Sequence, residues 1–204
     1  MRSSDRVPRP YTSATRRAEA ERTRERIVAA ARKILRSRHG TAELTIDAVA
    51  AGSNVARMTV YNAFKSKSGL LEAILDDISA RGLPEIFPPT RSATGAFDSY
   101  LAAFAHFWES ERLTLRRLRA LAVLDRDVRA AVGKREKRRW NSTLELARQF
   151  ADERGKPLRR ESIDQFHIVA SFESYDRLRI MGRGATEAAG EIRVLCQSIL
   201  GLTG

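Results

Sequence analysis

The chain has 204 residues, 43% of them hydrophobic, enough for one substantial core and a second small one, hence one or two domains. Lys and Arg number 37 against 25 Asp and Glu, and a net charge of +12 points to a polyanionic partner, of which nucleic acid is the usual one. One cysteine, Cys196, excludes an internal disulfide and a thiolate metal cluster; no apolar run nears the ~20 residues of a membrane span, and no secretory signal follows the basic N-terminus, so a cytoplasmic setting is expected.

Residues 1–20 carry Arg2, Arg6, Arg9, Arg16 and Arg17 among Ser, Thr and two prolines, and read as a flexible basic arm. From Arg16 to Arg38, Ile27, Ala30, Ala31, Ile34 and Leu35 recur on one face of an amphipathic helix that Gly40 ends. Thr45 is placed to cap a short helix with Ile46, Val49 and Ala50 inward. The chain turns at Ser53-Asn54, where asparagine is the residue next to glycine in tolerating positive φ. It resumes as a helix with Val55, Val60 and Phe64 inward, leaving Arg57, Met58, Thr59, Tyr61 and Asn62 outward. Ser66 caps a fourth helix carrying Leu70, Leu71, Ile74, Leu75 and Ile78 to Gly82. Pro84, Pro88, Pro89 and Gly95 then mark a domain boundary.

Beyond the break the pattern stays helical. Phe97, Tyr100, Leu101, Phe104, Phe107 and Trp108 make an aromatic stripe, and Leu115, Leu118 and Leu121 a further apolar face. A stretch from Asp125 passes Gly133 and Trp140 to Gly155; a long helix follows over 159–181, with Ile163, Phe166, Ala170 and Phe172; the last helix covers 184–202. No alternating β-pattern of useful length occurs, so the expected fold is all-α with about nine helices. The expected domains are the arm (1–20), a helix-turn-helix domain (21–82) and a second helical domain (83–204).

Two short helices across a turn, preceded by a stabilising helix, suit a helix-turn-helix. The run from Val49 to Leu71, with Ala51-Gly52-Ser53-Asn54, Thr59-Val60-Tyr61 followed by Phe64, and Ser66-Lys67 followed by Leu70, resembles the signature of the TetR family of transcriptional regulators. Arg24, Ile27, Ala30, Ala31 and Gly40 match that family's first helix. The resemblance implies that Thr59, Tyr61 and Lys67 anchor DNA backbone, that Thr45 touches phosphate, and that Arg57, Met58 and Asn62 read base edges. Asn54 departs from the family's usual glycine, Ala56 from its capping serine, and Ala63 from a His or Tyr that adds a phosphate contact.

The resemblance further implies a repressor that binds a palindromic double-stranded DNA operator as a homodimer and is released by a small-molecule effector, with a constitutive DNA-binding protein as the alternative. Ala185, Ala188, Ala189, Ile192, Leu195 and Ile199 form the expected dimer stripe, within a bundle that includes residues 159–181. Phe104, Phe107, Trp108, Trp140, Phe166 and Phe172 supply apolar walls for an effector site, with His167 and Tyr175 as its polar groups. The family's architecture puts such a cavity among the middle helices, behind helix four. His39, His106 and His167 show no metal-ligand spacing, Gly182-Arg183-Gly184 lacks the strand and lysine of a phosphate loop, and no nucleophile–base pairing is suggested. Neither an enzyme, a cofactor nor a metal is expected. Cys196 reads as a packing residue, and the basic run Lys134–Arg139 as a solvated helix face.

Overall fold

The computed structural model describes residues 13–37, 44–83 and 92–202, which form ten α-helices and no strand. Two compact units divide the chain, Met1–Leu70 and Leu71–Gly204.

The first unit holds α1 (Ser13–Arg36), α2 (Ile46–Gly52), α3 (Arg57–Phe64) and the start of α4 (Lys67–Gly82). Ile27, Ala31, Leu35, Val49, Val60 and Phe64 form its core, following the helical period read in the sequence. α1 begins at Ser13, so residues 13–20 are helix and not flexible arm. Ala18, Glu19, Ala20, Glu21 and Arg22 are strong helix formers, but all are exposed, so no apolar stripe marked them. The rest of the arm, 1–12, lies outside the described residues, as do Gly40, Pro84, Pro88 and Pro89.

The second unit takes most of α4, so the boundary expected after residue 82 falls at 70/71. Ion pairs from Glu72 and Asp76 to Lys134, Arg135 and Arg138 tie α4 to α7 (Arg126–Arg154), which explains the shift. Gly95 belongs to no break: it lies in the first turn of α5 (Ala93–Ser110), donating its N–H to the Ser92 Oγ cap. α5 is the central helix and packs on α6 (Arg112–Leu124), α7, α9 (Phe172–Ile180) and α10 (Ala185–Leu200). Its Phe97 meets Phe150 edge-on at 6.4 Å and Phe166 at 6.0 Å, and its Tyr100 meets Phe104 at 4.7 Å.

The expected long helix over 159–181 is two helices, α8 (Arg160–Val169) and α9, which accounts for ten where about nine were expected. Ser171 Oγ accepts from Ser174 N at 3.2 Å and starts α9 afresh. Arg139 Nη1 donates to the carbonyls of His167 and Ala170, both at 2.8 Å, meeting the last acceptors of α8. In α10 the buried row is Ala188, Ile192, Cys196 and Leu200, spaced by four. Ala188 and Ile192 therefore belong to the chain's own core and are not available to a second copy; the expected stripe splits. Ala185, Ala189 and Ile199 are half-buried, and Leu195 is exposed beside Val194.

Candidate nucleic-acid interface and internal cavity

The turn between α2 and α3 follows from three residues. Thr45 Oγ1 accepts from Ala48 N at 3.1 Å and fixes the start of α2. Asn54 sits at φ 53°, the left-handed conformation the sequence required of it. Its neighbour Val55 donates its N–H to Ala50 O at 3.0 Å, closing the end of α2. α3 then starts at Arg57, and Ala56 before it offers no side-chain cap, as the departure from serine implied. Val60 and Phe64 are buried, whereas Arg57, Met58 and Asn62 are exposed and Thr59, Tyr61 and Lys67 are half-buried. Side chains expected at DNA thus share the outward face of α3 and the first turn of α4.

Three residues to which the sequence reading gave no contact hold this face. Asp47 pairs with Arg57 at 3.1 Å, and the Arg57 guanidinium lies 5.7 Å from the Tyr61 ring. Contact with the Tyr61 hydroxyl and the charge of Asp47 raise the basicity of Arg57 further. Arg24 of α1 donates to Ala63 O and lies over the Phe64 ring at 4.5 Å, bracing the end of α3. Gly69 is required by a close approach, since a Cβ there would fall 2.1 Å from Phe64 O. Its N–H donates to Ser66 Oγ at 3.0 Å, the cap expected for α4.

Within the second unit a cavity of about 340 Å³ is lined by Leu75, Ser79 and Ala80 of α4, Phe104, Phe107 and Trp108 of α5, Leu115, Leu118 and Arg119 of α6, and Val132, Arg135, Glu136, Arg138, Arg139 and Ser142 of α7. Three of the eight expected ligand residues, Phe104, Phe107 and Trp108, are therefore in its wall. The other five lie elsewhere. Phe166 fills the core against Phe97 and Tyr100, and Phe172 lies under the Arg119 guanidinium at 4.6 Å. Trp140 is half-buried between Arg160 at 4.9 Å and the edge of His167 at 4.8 Å. Tyr175 donates its hydroxyl to Glu109 Oε2 at 2.7 Å, and Arg179 binds the same carboxylate, linking α9 to α5.

His167 is structural. Arg139 can only donate, so His167 Nε2 accepts from it at 3.0 Å and Nδ1 carries the proton given to Thr143 Oγ1, also 3.0 Å away. Burial, then the charge of Arg139, lower its pKa to about 4, which keeps the ring neutral. Cys196 is buried and its thiol is pushed up to about 12 by burial alone, as befits packing. The basic run on α7 is the solvated face expected of it at Lys134, Lys137 and Arg138, whereas Arg135 and Arg139 are half-buried. Lys134, Arg135 and Arg138 meet Glu72 or Asp76, and Arg139 meets Glu136. The matching signal, Glu72 and Asp76 at i and i+4, stood in the sequence some sixty residues upstream.

A short helix, a turn through a positive-φ residue, and a second helix with an outward polar face define a helix-turn-helix DNA-binding protein. Residues 27–74 match the family model of the bacterial regulatory proteins, tetR family. The match covers the helix-turn-helix and supports a DNA-binding transcriptional regulator of the TetR type. No curated protein sequence matches the chain. Among the described residues no helix is long and apolar enough to cross a membrane.

Proposed function

We propose that the protein is a repressor that binds a palindromic operator as a homodimer and is released when a small molecule occupies the cavity of the second unit. The observation that carries the reading is that cavity, about 340 Å³ with Phe104, Phe107 and Trp108 in its wall, within the size and composition usual for a small-molecule site. α4 supports the coupling. It begins at Lys67, among the residues expected at phosphate, and its Leu75, Ser79 and Ala80 line the cavity. A ligand that displaces this helix changes DNA affinity, and a coupling of about 1–3 kcal/mol corresponds to a five- to 150-fold change. Dimerisation is supported by large apolar side chains left exposed on α8 to α10, namely Ile168, Ile180, Met181, Val194 and Leu195.

The test is a screen for compounds that raise the thermal midpoint of the purified protein, followed by operator titration with each binder. Binders should lower operator affinity, and Phe107→Ala should abolish that response while leaving DNA binding without a compound largely intact. If no binder changes operator affinity, the constitutive DNA-binding alternative replaces this reading.

A further inference from the structure

The cavity's charges are unevenly matched. Four arginines, Arg119, Arg135, Arg138 and Arg139, are among its lining residues, and Glu136 is the one lining residue that bears a carboxylate. Three of the four are accounted for. Arg139 commits Nε and Nη2 to Glu136, Nη1 to two backbone carbonyls and Nη2 also to His167. Arg119 is held by Glu136 and Glu173 and covers Phe172. The Arg138 side chain is 65% exposed and water serves it.

Arg135 differs. Its side chain is only 16% exposed, and Nη2 alone is engaged, by Asp76 Oδ1 at 2.8 Å and Glu72 O at 2.9 Å. Its Nε is buried with no hydrogen-bond partner. Burial lowers its basicity, as does neighbouring Arg138, against the pull of Asp76 and Glu72. Asp76 is 58% exposed and shared, pairing with Arg138 as well, so a single carboxylate serves two guanidiniums.

We propose that the cavity takes an amphipathic organic anion, an apolar body bearing one carboxylate, and that Arg135 binds this carboxylate in exchange for Asp76. The inference rests on the ligand-gated reading for its site and names the class of ligand. Once the guanidinium turns from Asp76 toward the cavity, a carboxylate placed side-on takes the Nε–H and the Nη2–H together, the bidentate pairing that guanidinium favours. It gives the buried Nε its missing acceptor and stays shielded from water, whereas Asp76 remains half in solvent. The apolar body lies along Phe104, Phe107, Trp108, Leu115 and Leu118. A neutral ligand of the same shape leaves the Nε–H unmet, and a cation is repelled by Arg135. Because Asp76 belongs to α4 and Arg135 to α7, the exchange breaks one of the ties between those helices.

The experiment is calorimetric titration of the full-length protein with decanoate, decanol and decylamine, each below its micellar concentration. Decanoate should bind at least about tenfold more tightly than decanol, a charged hydrogen-bonded pair being the difference, and decylamine should not bind. Arg135→Gln should weaken decanoate about ten- to hundredfold and leave decanol unchanged. Asp76→Asn should tighten decanoate roughly two- to fivefold, the effect of removing a solvent-exposed competitor and one that no misfolded variant would give. Absence of decanoate binding, equal affinity for decanol, preference for decylamine, or a lack of response to both substitutions would overturn the proposal. Operator affinity in the same samples separates the two readings. Bound decanoate that leaves operator affinity unchanged removes gating and keeps the anion site, whereas a neutral cavity ligand that releases DNA keeps gating and removes the anion.

Discussion

At Gly69 the chain passes so close to the end of α3 that a Cβ would lie 2.1 Å from Phe64 O, and the obstacle is backbone, which cannot swing aside. Gly69→Ala should therefore destabilise the protein by about 1–3 kcal/mol in urea unfolding, as overpacking does. An unchanged midpoint would mean that α4 starts elsewhere. His167 makes a second prediction, in pH. Its folded pKa of about 4 lies below the ordinary 6.5, because the ring is buried and faces Arg139. Between those values the unfolded chain binds the proton first. The ring's contribution is complete above pH 6.5 and is lost as pH falls toward 4. His167→Gln should lower the thermal midpoint above pH 6.5, and its deficit against the wild type should narrow near pH 4. A deficit that stays constant with pH would contradict the assignment of a neutral, proton-sharing ring.

Among the elements, α10 draws the sharpest distinction between core and surface. Ile192 is 2% exposed and Leu195 is 53% exposed, three positions apart. Leu195→Glu should give folded monomers by light scattering, whereas Ile192→Glu should reduce folding itself, since it buries an unpaired carboxylate. A dimer that survives Leu195→Glu would move the interface to another face. The sequence made α2 and α3 legible because apolar spacing, the Thr45 cap and Asn54 all agreed on one geometry. It hid the α8–α9 break because Ile163, Phe166 and Ala170 hold helical spacing up to Ser171, whose capping role depends on where the chain turns. Aromatic content on α5 foretold the cavity only in part. Phe97 and Tyr100 lie in solid core and Phe104, Phe107 and Trp108 in the cavity wall, and nothing in the residue types separates them. The arginine lining went unread because its partners on α4 lie far off in sequence, so the run on α7 looked like a plain charged face.

For the whole molecule, the central claim is DNA recognition by the face of α3. Arg57 and Lys67 are expected to act differently there. An arginine on base edges contributes about 1–3 kcal/mol of discrimination at one position, while a lysine on phosphate contributes equally to every sequence and adds about one to the salt slope. A dimer pairs two such faces, so half-sites should be centred roughly 34–36 Å apart, or a multiple of that. The most direct measurement is selection of binding sites from a pool of random duplex DNA by the wild type, Arg57→Ala and Lys67→Ala, with affinities for the recovered site measured across salt concentrations. The wild type should recover a two-fold symmetric sequence; Arg57→Ala should recover the same site relaxed at one position in each half, and Lys67→Ala the same site bound more weakly, with a shallower salt slope. No symmetric sequence from the wild type, or wild-type selectivity, affinity and salt slope from both variants, would contradict the account.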